Sequence, residues 1–172
     1  INLGGIQYGQ TRDILCKFEI PKIEGPFGEV VLKYGIGKKK VIKTALNSTV
    51  PKDLQRMQFQ LNRSAHIEGL RNAYLHANEL KLGAKFTHDA LVALKNSPIA
   101  QTDQATQNLI RDIQSANDQE GQVAKAFEKQ EWYNKWGKHY IPALLRAHIL
   151  QICTNFKDPG LQIYGGGLFK KL

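Results

Sequence analysis

Histidine and cysteine are the side chains of this sequence best suited to hold a metal ion. The chain has five histidines and two cysteines, and it lacks a His-Glu-x-x-His or Cys-x-x-Cys motif. His66 and His76 are ten residues apart, and His139 and His148 are nine apart. His148 and Cys153 lie five residues apart, which separates them by about 140° around a helix. We therefore expect neither a metal site nor a cofactor.

Cys153 is the candidate for enzymatic chemistry, as a nucleophile with His139 as its base. It follows Ile152 in an apolar helical pattern, and burial there would disfavour the reactive thiolate. The sequence also contains no Gly-x-Ser-x-Gly elbow, Walker loop or dinucleotide-binding motif. We therefore predict that the chain is not an enzyme and has no catalytic residues.

Two further ionisable side chains, Asp112 and His148, are interpreted from their helical positions. Asp112 could form an acid–base pair with Glu120, but both lie on helix faces patterned as solvent-exposed, so we expect a solvated surface. His148 lies on an apolar helical stripe. We expect it to be buried and hydrogen-bonded to the backbone or to a tryptophan, rather than to act as a base.

The densest group of aromatic residues lies in Glu131–Tyr140, where two Trp, two Tyr, one His and two Lys fall together. This mixture is typical of a binding platform, because aromatic rings supply a large contact area. We favour the alternative that Trp132 and Trp136, four residues apart, close the core where two helices meet. The protein-binding hypothesis selects four residues near one end of the helical part: Trp136, His139, Arg146 and Lys157.

The net charge is +9, and the excess lies at the two ends of the chain. Residues 1–50 carry 8 basic and 4 acidic side chains, residues 51–131 carry 10 of each, and residues 132–172 carry 6 and 1. Basic ends could bind nucleic acid, anionic lipid or an acidic protein, whereas scattered lysines would only favour solubility. The alternative hypothesis, a nucleic-acid-binding module, rests on lysines near both ends: Lys38, Lys39, Lys40, Lys170 and Lys171.

The N-terminal part of the chain has the pattern of β-strands. Asp13–Ile20 alternates apolar and polar residues, and Glu29–Tyr34 and Lys40–Leu46 are β-branched runs of strand length. A short strand is also expected within Leu3–Tyr8. So few strands need a cover for their apolar face. Either the helices that follow cover it, or an N-terminal part of a longer protein completes a β-sandwich. We predict the second, with the helices contributing.

The pattern becomes helical after Pro51. Apolar residues recur at three- and four-residue steps from Leu54 through Met57 and Leu61 to Leu80. They predict a helix of about 25–28 residues, with this stripe facing the core and Gly83 ending it.

Four further helices follow in the sequence pattern. Their expected limits are an N-cap at Thr87, an N-cap at Thr102 or Asp103, a segment from Asn117-Asp118 to Gly137, and a start near Ile141-Pro142. Asn155–Gly160 is expected to stop the last helix, with Phe156 packed back on it, and Leu161–Tyr164 to form a short returning strand.

Strands precede helices here instead of alternating with them. The predicted fold class is therefore α+β: a short N-terminal antiparallel β segment, the end of a β-sandwich, followed by a mostly α-helical bundle. The expected domains are residues 1–50 and 51–172.

No apolar run approaches the roughly 20 residues of a membrane-spanning helix. The two cysteines are too few for a disulfide framework, which favours a reducing, cytoplasmic location, and the start at Ile1 suggests a piece of a longer protein.

Several strings in the C-terminal third resemble the Vwaint domain. They are Asp118-Gln-Glu-Gly-Gln-Val-Ala-Lys-Ala126, Trp136-Gly-Lys-His-Tyr-Ile-Pro-Ala-Leu144, Asn155-Phe-Lys-Asp-Pro-Gly160 and Gln162-Ile-Tyr-Gly-Gly166. Upstream, Leu3–Ile14 resembles the strand that follows the von Willebrand factor A (VWA) domain in such chains. The Vwaint domain follows a VWA domain in eukaryotic proteins, some of which also carry a Hint domain or a U-box.

The resemblance implies a non-catalytic protein-interaction or scaffolding module of a larger, multidomain VWA protein. It implies protein partners, with the chain's own VWA domain and ubiquitin-pathway proteins as candidates. The metal site of a VWA domain and the cysteine chemistry of a Hint domain would lie in those other domains. The resemblance therefore assigns no catalytic residue to this chain.

Overall fold

The structure is a computed structural model that describes residues 4–6, 9–19, 25–35, 40–46, 53–114, 121–155 and 157–165. Over these residues two antiparallel strands precede a series of helices, so the predicted α+β class is confirmed. The chain divides into two compact units, Cys16–Leu54 and Ile1–Leu15 with Gln55–Leu172. The predicted domain boundary after residue 50 lies outside the described residues and stays a prediction.

The smaller unit contains an antiparallel hairpin. Strand β1 covers Gly28–Tyr34 and strand β2 covers Lys40–Leu46, in agreement with the two β-branched runs of the sequence. The register places Val30 opposite Thr44 and Leu32 opposite Ile42. Because directly opposed residues of an antiparallel pair point to the same side, this register decides which side chains share a face.

The two other predicted strands are wrong over their described residues. Residues 13–19 of Asp13–Ile20 and residues 4–6 of Leu3–Tyr8 have no strand structure; the rest of both segments lies outside the described residues. The backbone of Asp13 bonds instead to an amide side chain. Its N–H donates to Gln151 Oε1 at 2.8 Å, and its carbonyl oxygen accepts from Gln151 Nε2 at 2.7 Å.

The helices follow in sequence. They are α1 (Leu54–Leu75), α2 (Leu80–Lys95), α3 (Gln104–Ile113), α4 (Gln122–Glu128), α5 (Gln130–Trp132), α6 (Lys138–Leu150) and α7 (Pro159–Gln162), with a π-helical segment, Tyr133–Gly137, between α5 and α6. Helix α2 packs against α3 and α4, and α3 packs against α7. The larger unit has a continuous apolar core, whose most buried side chains include Leu70, Leu94, Leu109, Ile141, Leu144 and Leu161.

Several predicted helix limits are wrong. Helix α1 ends at Leu75, and Gly83 lies inside α2, where an added Cβ would meet the Phe127 ring at 2.6 Å. Thr87 is buried within α2 and donates its hydroxyl to the Ala84 carbonyl at 2.8 Å, so it is not an N-cap. Gly83 is therefore explained by the close packing of α2 against Phe127, and not by a helix end as the sequence pattern predicts.

The N-cap of α3 is Asp103, one of the two residues predicted for it. Asp103 accepts a hydrogen bond from the backbone N–H of Thr106 at 2.7 Å, which satisfies one of the free donors at the helix start. Its other carboxylate oxygen accepts from Gln55 Nε2 at 3.2 Å.

The chain around Gly137 does not break as predicted. It continues through the π-helical segment into α6, which begins at Lys138 and contains Pro142. Gly137 is buried, and an added Cβ would lie 3.1–3.2 Å from Tyr133 and Ala126. The predicted strand at Leu161–Tyr164 is also wrong, because Leu161 and Gln162 belong to α7.

The first half of α1 faces opposite to the predicted stripe. Leu54, Met57 and Leu61 are exposed, although they were expected to enter the core. The buried residues from Leu54 to His66, apart from Phe59, are polar: Gln60, Asn62, Arg63 and His66. Only the second half of the helix buries apolar residues as predicted, with Leu70 and Ala73 in the core. The larger unit therefore has a polar interior beside its apolar one.

None of the helices within the described residues has both the length and the apolar character that crossing a bilayer requires.

Candidate functional site

Two histidines from distant helices meet in the polar interior. His66 of α1 and His148 of α6 are both fully buried. Their ring centroids are 4.6 Å apart, and the planes meet edge to face at 79°. The predicted burial of His148 is confirmed, but its described side-chain partner is neither backbone nor tryptophan: its Nδ1 lies 3.0 Å from the Tyr164 hydroxyl oxygen.

Asp112 of α3 completes this buried group. Its relative exposure is 2%, so the prediction of a solvated carboxylate is wrong. One oxygen, Oδ1, accepts the backbone N–H of Gly160 at 3.0 Å, and the other, Oδ2, lies 3.4 Å from His148 Nε2. Burial follows from the contact of α3 with α7, which the helical pattern of α3 alone does not reveal. We call His66, Asp112 and His148 the buried triad.

Polar atoms of the buried triad lack hydrogen-bond partners among the described residues. They are His66 Nδ1, His66 Nε2, Asp112 Oδ2 and His148 Nε2. A buried polar atom without a partner destabilises the fold, and native structures contain few of them. Their concentration in one place marks the buried triad as a candidate site.

Burial also sets the ionisation of the buried triad. Removal from water lowers the pKa of His66 to about 3, assisted by His148 and opposed by Asp112. It lowers the pKa of His148 to about 3 as well, with the Arg63 guanidinium acting in the same direction. Burial raises the pKa of Asp112 to about 7. Both imidazoles are therefore neutral at neutral pH and keep a free ring-nitrogen lone pair.

A buried arginine connects three parts of the chain next to the buried triad. Arg63 donates from Nη1 to the His148 carbonyl oxygen at 3.0 Å and from Nη2 to the Asp13 carbonyl oxygen at 3.2 Å. Its Nε donates to Gln60 Oε1 at 2.7 Å. The guanidinium thus joins α1, α6 and the N-terminal segment.

Gln151, the residue after α6, also forms hydrogen bonds with the N-terminal segment at Arg12 and Asp13. Gln151 follows the helix in the left-handed region, with φ 51° and ψ 51°, and its side chain is bonded to both the N–H and the carbonyl of Asp13. Its own carbonyl accepts from the Arg12 guanidinium. Asp13 also accepts hydrogen bonds from Arg56 and Gln60 of α1.

The segment Asn155–Gly160 forms the turn that contains Gly160, whose backbone N–H donates to Asp112. Asn155 Oδ1 accepts from the N–H groups of Lys157 and Asp158, both at 2.9 Å, and its Nδ2 donates to Asp158 Oδ2 at 2.6 Å. Asp158 Oδ1 accepts the Tyr140 hydroxyl at 2.7 Å. The expected helix stop is wrong, because Gln151 already ends α6; the packing predicted for Phe156 lies outside the described residues.

None of the predicted protein-binding residues belongs to the buried triad. Trp136 is partly buried in the π-helical segment, with its ring centroid 5.6 Å from that of Tyr140. His139 and Arg146 are exposed on α6, and Lys157 is exposed before α7. Their role in binding stays a prediction. Of the predicted nucleic-acid lysines, Lys40 is exposed at the start of β2, and the others lie outside the described residues: Lys38, Lys39, Lys170 and Lys171.

Cys153 is partly buried after α6. Its thiol donates to the Asn155 carbonyl oxygen at 3.4 Å, and burial raises its pKa. Burial is the largest effect on this pKa and keeps the sulfur protonated, which is the opposite of what a cysteine nucleophile needs.

Residue spacing does not indicate the buried triad, because its members come from three helices far apart in sequence. A signal was nevertheless present on α1. Gln60, Arg63 and a histidine at position 66 recur every three residues, which places polar side chains along one side of the helix.

Comparison with known proteins bears on the C-terminal part of the chain. Residues 103–172 match the Vwaint family model, described as VWA / Hh protein intein-like. The resemblance seen in the sequence is therefore confirmed there, and the match indicates a VWA-associated module. Asp112 and His148 lie within the matched residues, whereas His66 precedes them. No curated protein and no solved structure gives a significant match.

Replacing Asn155 tests the turn before α7. Asn155→Ala removes three hydrogen bonds and leaves the Asp158 carboxylate with one fewer donor, so we expect the free energy of unfolding to fall by about 1–3 kcal/mol. Thr154→Ala, at the exposed neighbouring position, should change it by less than about 0.5 kcal/mol. Urea unfolding monitored by circular dichroism measures both. Equal effects of the two variants would refute the structural role of Asn155.

Replacing Trp136 distinguishes a core residue from an interface anchor. Because its partly buried ring packs on Tyr140 and the core, Trp136→Ala should lower the free energy of unfolding by about 2–3 kcal/mol. The exposed neighbour variant Lys135→Ala should remain within about 0.5 kcal/mol of the original protein. A Trp136→Ala protein of unchanged stability would contradict the packing role and leave the binding role.

Proposed function

We propose that this chain is a non-catalytic, protein-binding module of a larger VWA-domain protein, and that its partner covers one face of the β1–β2 hairpin. The family match over residues 103–172 supports the association with VWA domains. The main observation in support of the proposal is that the two faces of the hairpin differ in polarity.

One face of the hairpin is apolar and open to solvent. The register places Val30, Leu32 and Tyr34 of β1 on the same side as Ile42 and Leu46 of β2, and we call this side the apolar face. Ile42 is 51% exposed and Leu32 is 43% exposed. A contiguous exposed apolar surface on a folded protein is typical of an interaction site.

The opposite face is suited to water. It carries Glu29, Lys33 and Lys43 together with Val31 and Val41. Glu29 and Lys43 form an exposed ion pair at 3.4 Å. An antiparallel sheet whose faces differ in this way commonly packs through the more apolar face and leaves the mixed, charged face in water.

The occupant we propose for the apolar face is a second β-sheet, supplied by the VWA-containing remainder of the protein. A two-stranded hairpin is marginally stable without such a cover, and two sheets that pack face to face bury alternate side chains as this register does. Lys40 lies opposite Tyr34 on the apolar face, so an acidic residue at the edge of the covering sheet would complement it. This arrangement corresponds to the sandwich end expected from the sequence.

The chemistry of the described residues supports a non-catalytic role. The thiol of Cys153 is hydrogen-bonded and has a raised pKa, and the buried triad is closed to solvent. Both cysteines are free, which agrees with the cytoplasmic location that we propose.

Paired lysine substitutions on the two hairpin faces test the proposal. Ile42→Lys alters the apolar face, and Val41→Lys alters the charged face at a matched exposure of 50%. Hydrogen exchange of peptides covering β1 and β2 is compared between this chain alone and the full-length protein. We expect exchange at least about tenfold slower in the full-length protein, for the original sequence and for Val41→Lys, and loss of that slowing for Ile42→Lys, which would bury an unpaired charge.

Either of two results would refute this function. The first is hairpin exchange at the same rate in both proteins, which would mean that nothing covers the apolar face. The second is equal loss of protection in both variants, which would mean that the face does not matter. Nucleic-acid binding stays the alternative prediction, and its signature is affinity that falls steeply with salt.

A further inference from the structure

We propose that the buried triad binds one divalent transition-metal ion, with Zn²⁺ as the best-suited ion and His66, Asp112 and His148 as its protein ligands. The ion would have a structural role, joining α1, α3 and α6. This inference is independent of the proposed binding function, because it concerns the interior of the larger unit and not the hairpin.

The spacing of the ligand atoms fits one ion. One ring nitrogen of each histidine and one carboxylate oxygen of Asp112 all lie within 4.8 Å of one another. A tetrahedral zinc ion with bonds of about 2.0–2.1 Å holds its ligands about 3.3 Å apart. The separation of His148 Nε2 and Asp112 Oδ2 is 3.4 Å, which is close to that value.

The atoms that an ion requires are those left without partners. Among the described residues, Asp112 Oδ2, His148 Nε2 and both ring nitrogens of His66 make no hydrogen bond. His66 and His148 are fully buried, and Asp112 is nearly so, so bulk water does not satisfy them. One ion would take a ligand from each side chain.

The outer contacts orient two of the ligands for metal binding. If Nδ1–H of His148 donates to the Tyr164 oxygen, 3.0 Å away, its Nε2 carries the lone pair that faces Asp112. The Gly160 N–H holds the other oxygen of Asp112. A Cβ at Gly160 would lie 2.2 Å from Asp112 Oδ2, so the backbone closes around this oxygen. Such outer partners fix ring and carboxylate orientation at metal sites.

The donor set selects the class of metal. Two neutral imidazoles and one carboxylate suit Zn²⁺ and related transition metals, whereas Mg²⁺ and Ca²⁺ prefer oxygen ligands. The Asp112 charge offsets part of the ion's charge. Asp158, bonded to Tyr140, adds a second negative group nearby, and Arg63 adds a positive one at the His148 carbonyl. A fourth tetrahedral position would take an enclosed water molecule.

An enclosed water alone is the competing occupant of the same space, since it could also bridge these polar atoms. The experiment must therefore detect a bound ion and place it at the buried triad. Because the ligands are closed to solvent, the full chain is unfolded in denaturant with a chelator and refolded with one equivalent of Zn²⁺, of Co²⁺, or with chelator only.

We expect one Zn²⁺ per chain after desalting, measured by plasma mass spectrometry, and the visible absorption of tetrahedral Co²⁺ with nitrogen and oxygen ligands. The Zn²⁺-refolded protein should unfold at a higher temperature than the chelator-refolded protein. His66→Gln and Asp112→Asn should each weaken Zn²⁺ binding by at least about tenfold. The matched control His139→Gln removes an exposed histidine and should keep full binding.

A milder variant keeps the test decisive if the ligand variants do not fold. Tyr164→Phe removes the hydroxyl that contacts His148 Nδ1 and should weaken Zn²⁺ about 10- to 100-fold while the protein remains folded. The proposal is overturned if the original protein refolded with Zn²⁺ holds no ion, as an interior occupied by water alone predicts. It is equally overturned if His139→Gln abolishes binding, or if Tyr164→Phe binds Zn²⁺ as tightly as the original protein.

Discussion

Burial of the polar side of α1 is the constraint on which the larger unit depends. Arg63 cannot leave water without acceptors, because an unpaired buried charge is strongly destabilising. Its acceptors are the carbonyl oxygens of His148 and Asp13 and the side chain of Gln60. The positions of α6 and of the N-terminal segment are therefore set by hydrogen-bonding requirements as well as by apolar packing.

The strings that carry the family resemblance have a physical role in this interior. Tyr140 belongs to one string and Asp158 to another, and their hydrogen bond of 2.7 Å joins α6 to the turn before α7. Gly160 ends the second string, and its N–H binds Asp112. The segment Asn155–Gly160, which the sequence predicts as a helix stop, therefore covers the polar interior through the hydrogen bonds of Asp158 and Gly160.

The sequence predicts an element correctly where the local residue pattern agrees with the way that element packs in the fold. β-Branched runs located both strands, whereas the alternation at Asp13–Ile20 predicted a strand that residues 13–19 do not form, and local side-chain chemistry narrowed the α3 N-cap to Thr102 or Asp103. The orientation of α1 was not predictable from periodicity, because Leu61 fits a core stripe and Asn62 does not, yet Asn62 donates to Ser97 and Thr106 in the interior. The buried triad depends on long-range packing of three helices, which spacing within one segment cannot indicate.

The orientation of α1 is tested most directly at two adjacent residues of opposite character. Leu61 is 43% exposed and Asn62 is 5% exposed. We expect Leu61→Asn to change the free energy of unfolding by less than about 0.5 kcal/mol. Asn62→Leu should lower it by about 1–3 kcal/mol, because it removes the hydrogen bonds that Asn62 donates to the Ser97 and Thr106 hydroxyls. The reverse order, with Leu61→Asn the more destabilising change, would contradict a polar interior built on α1.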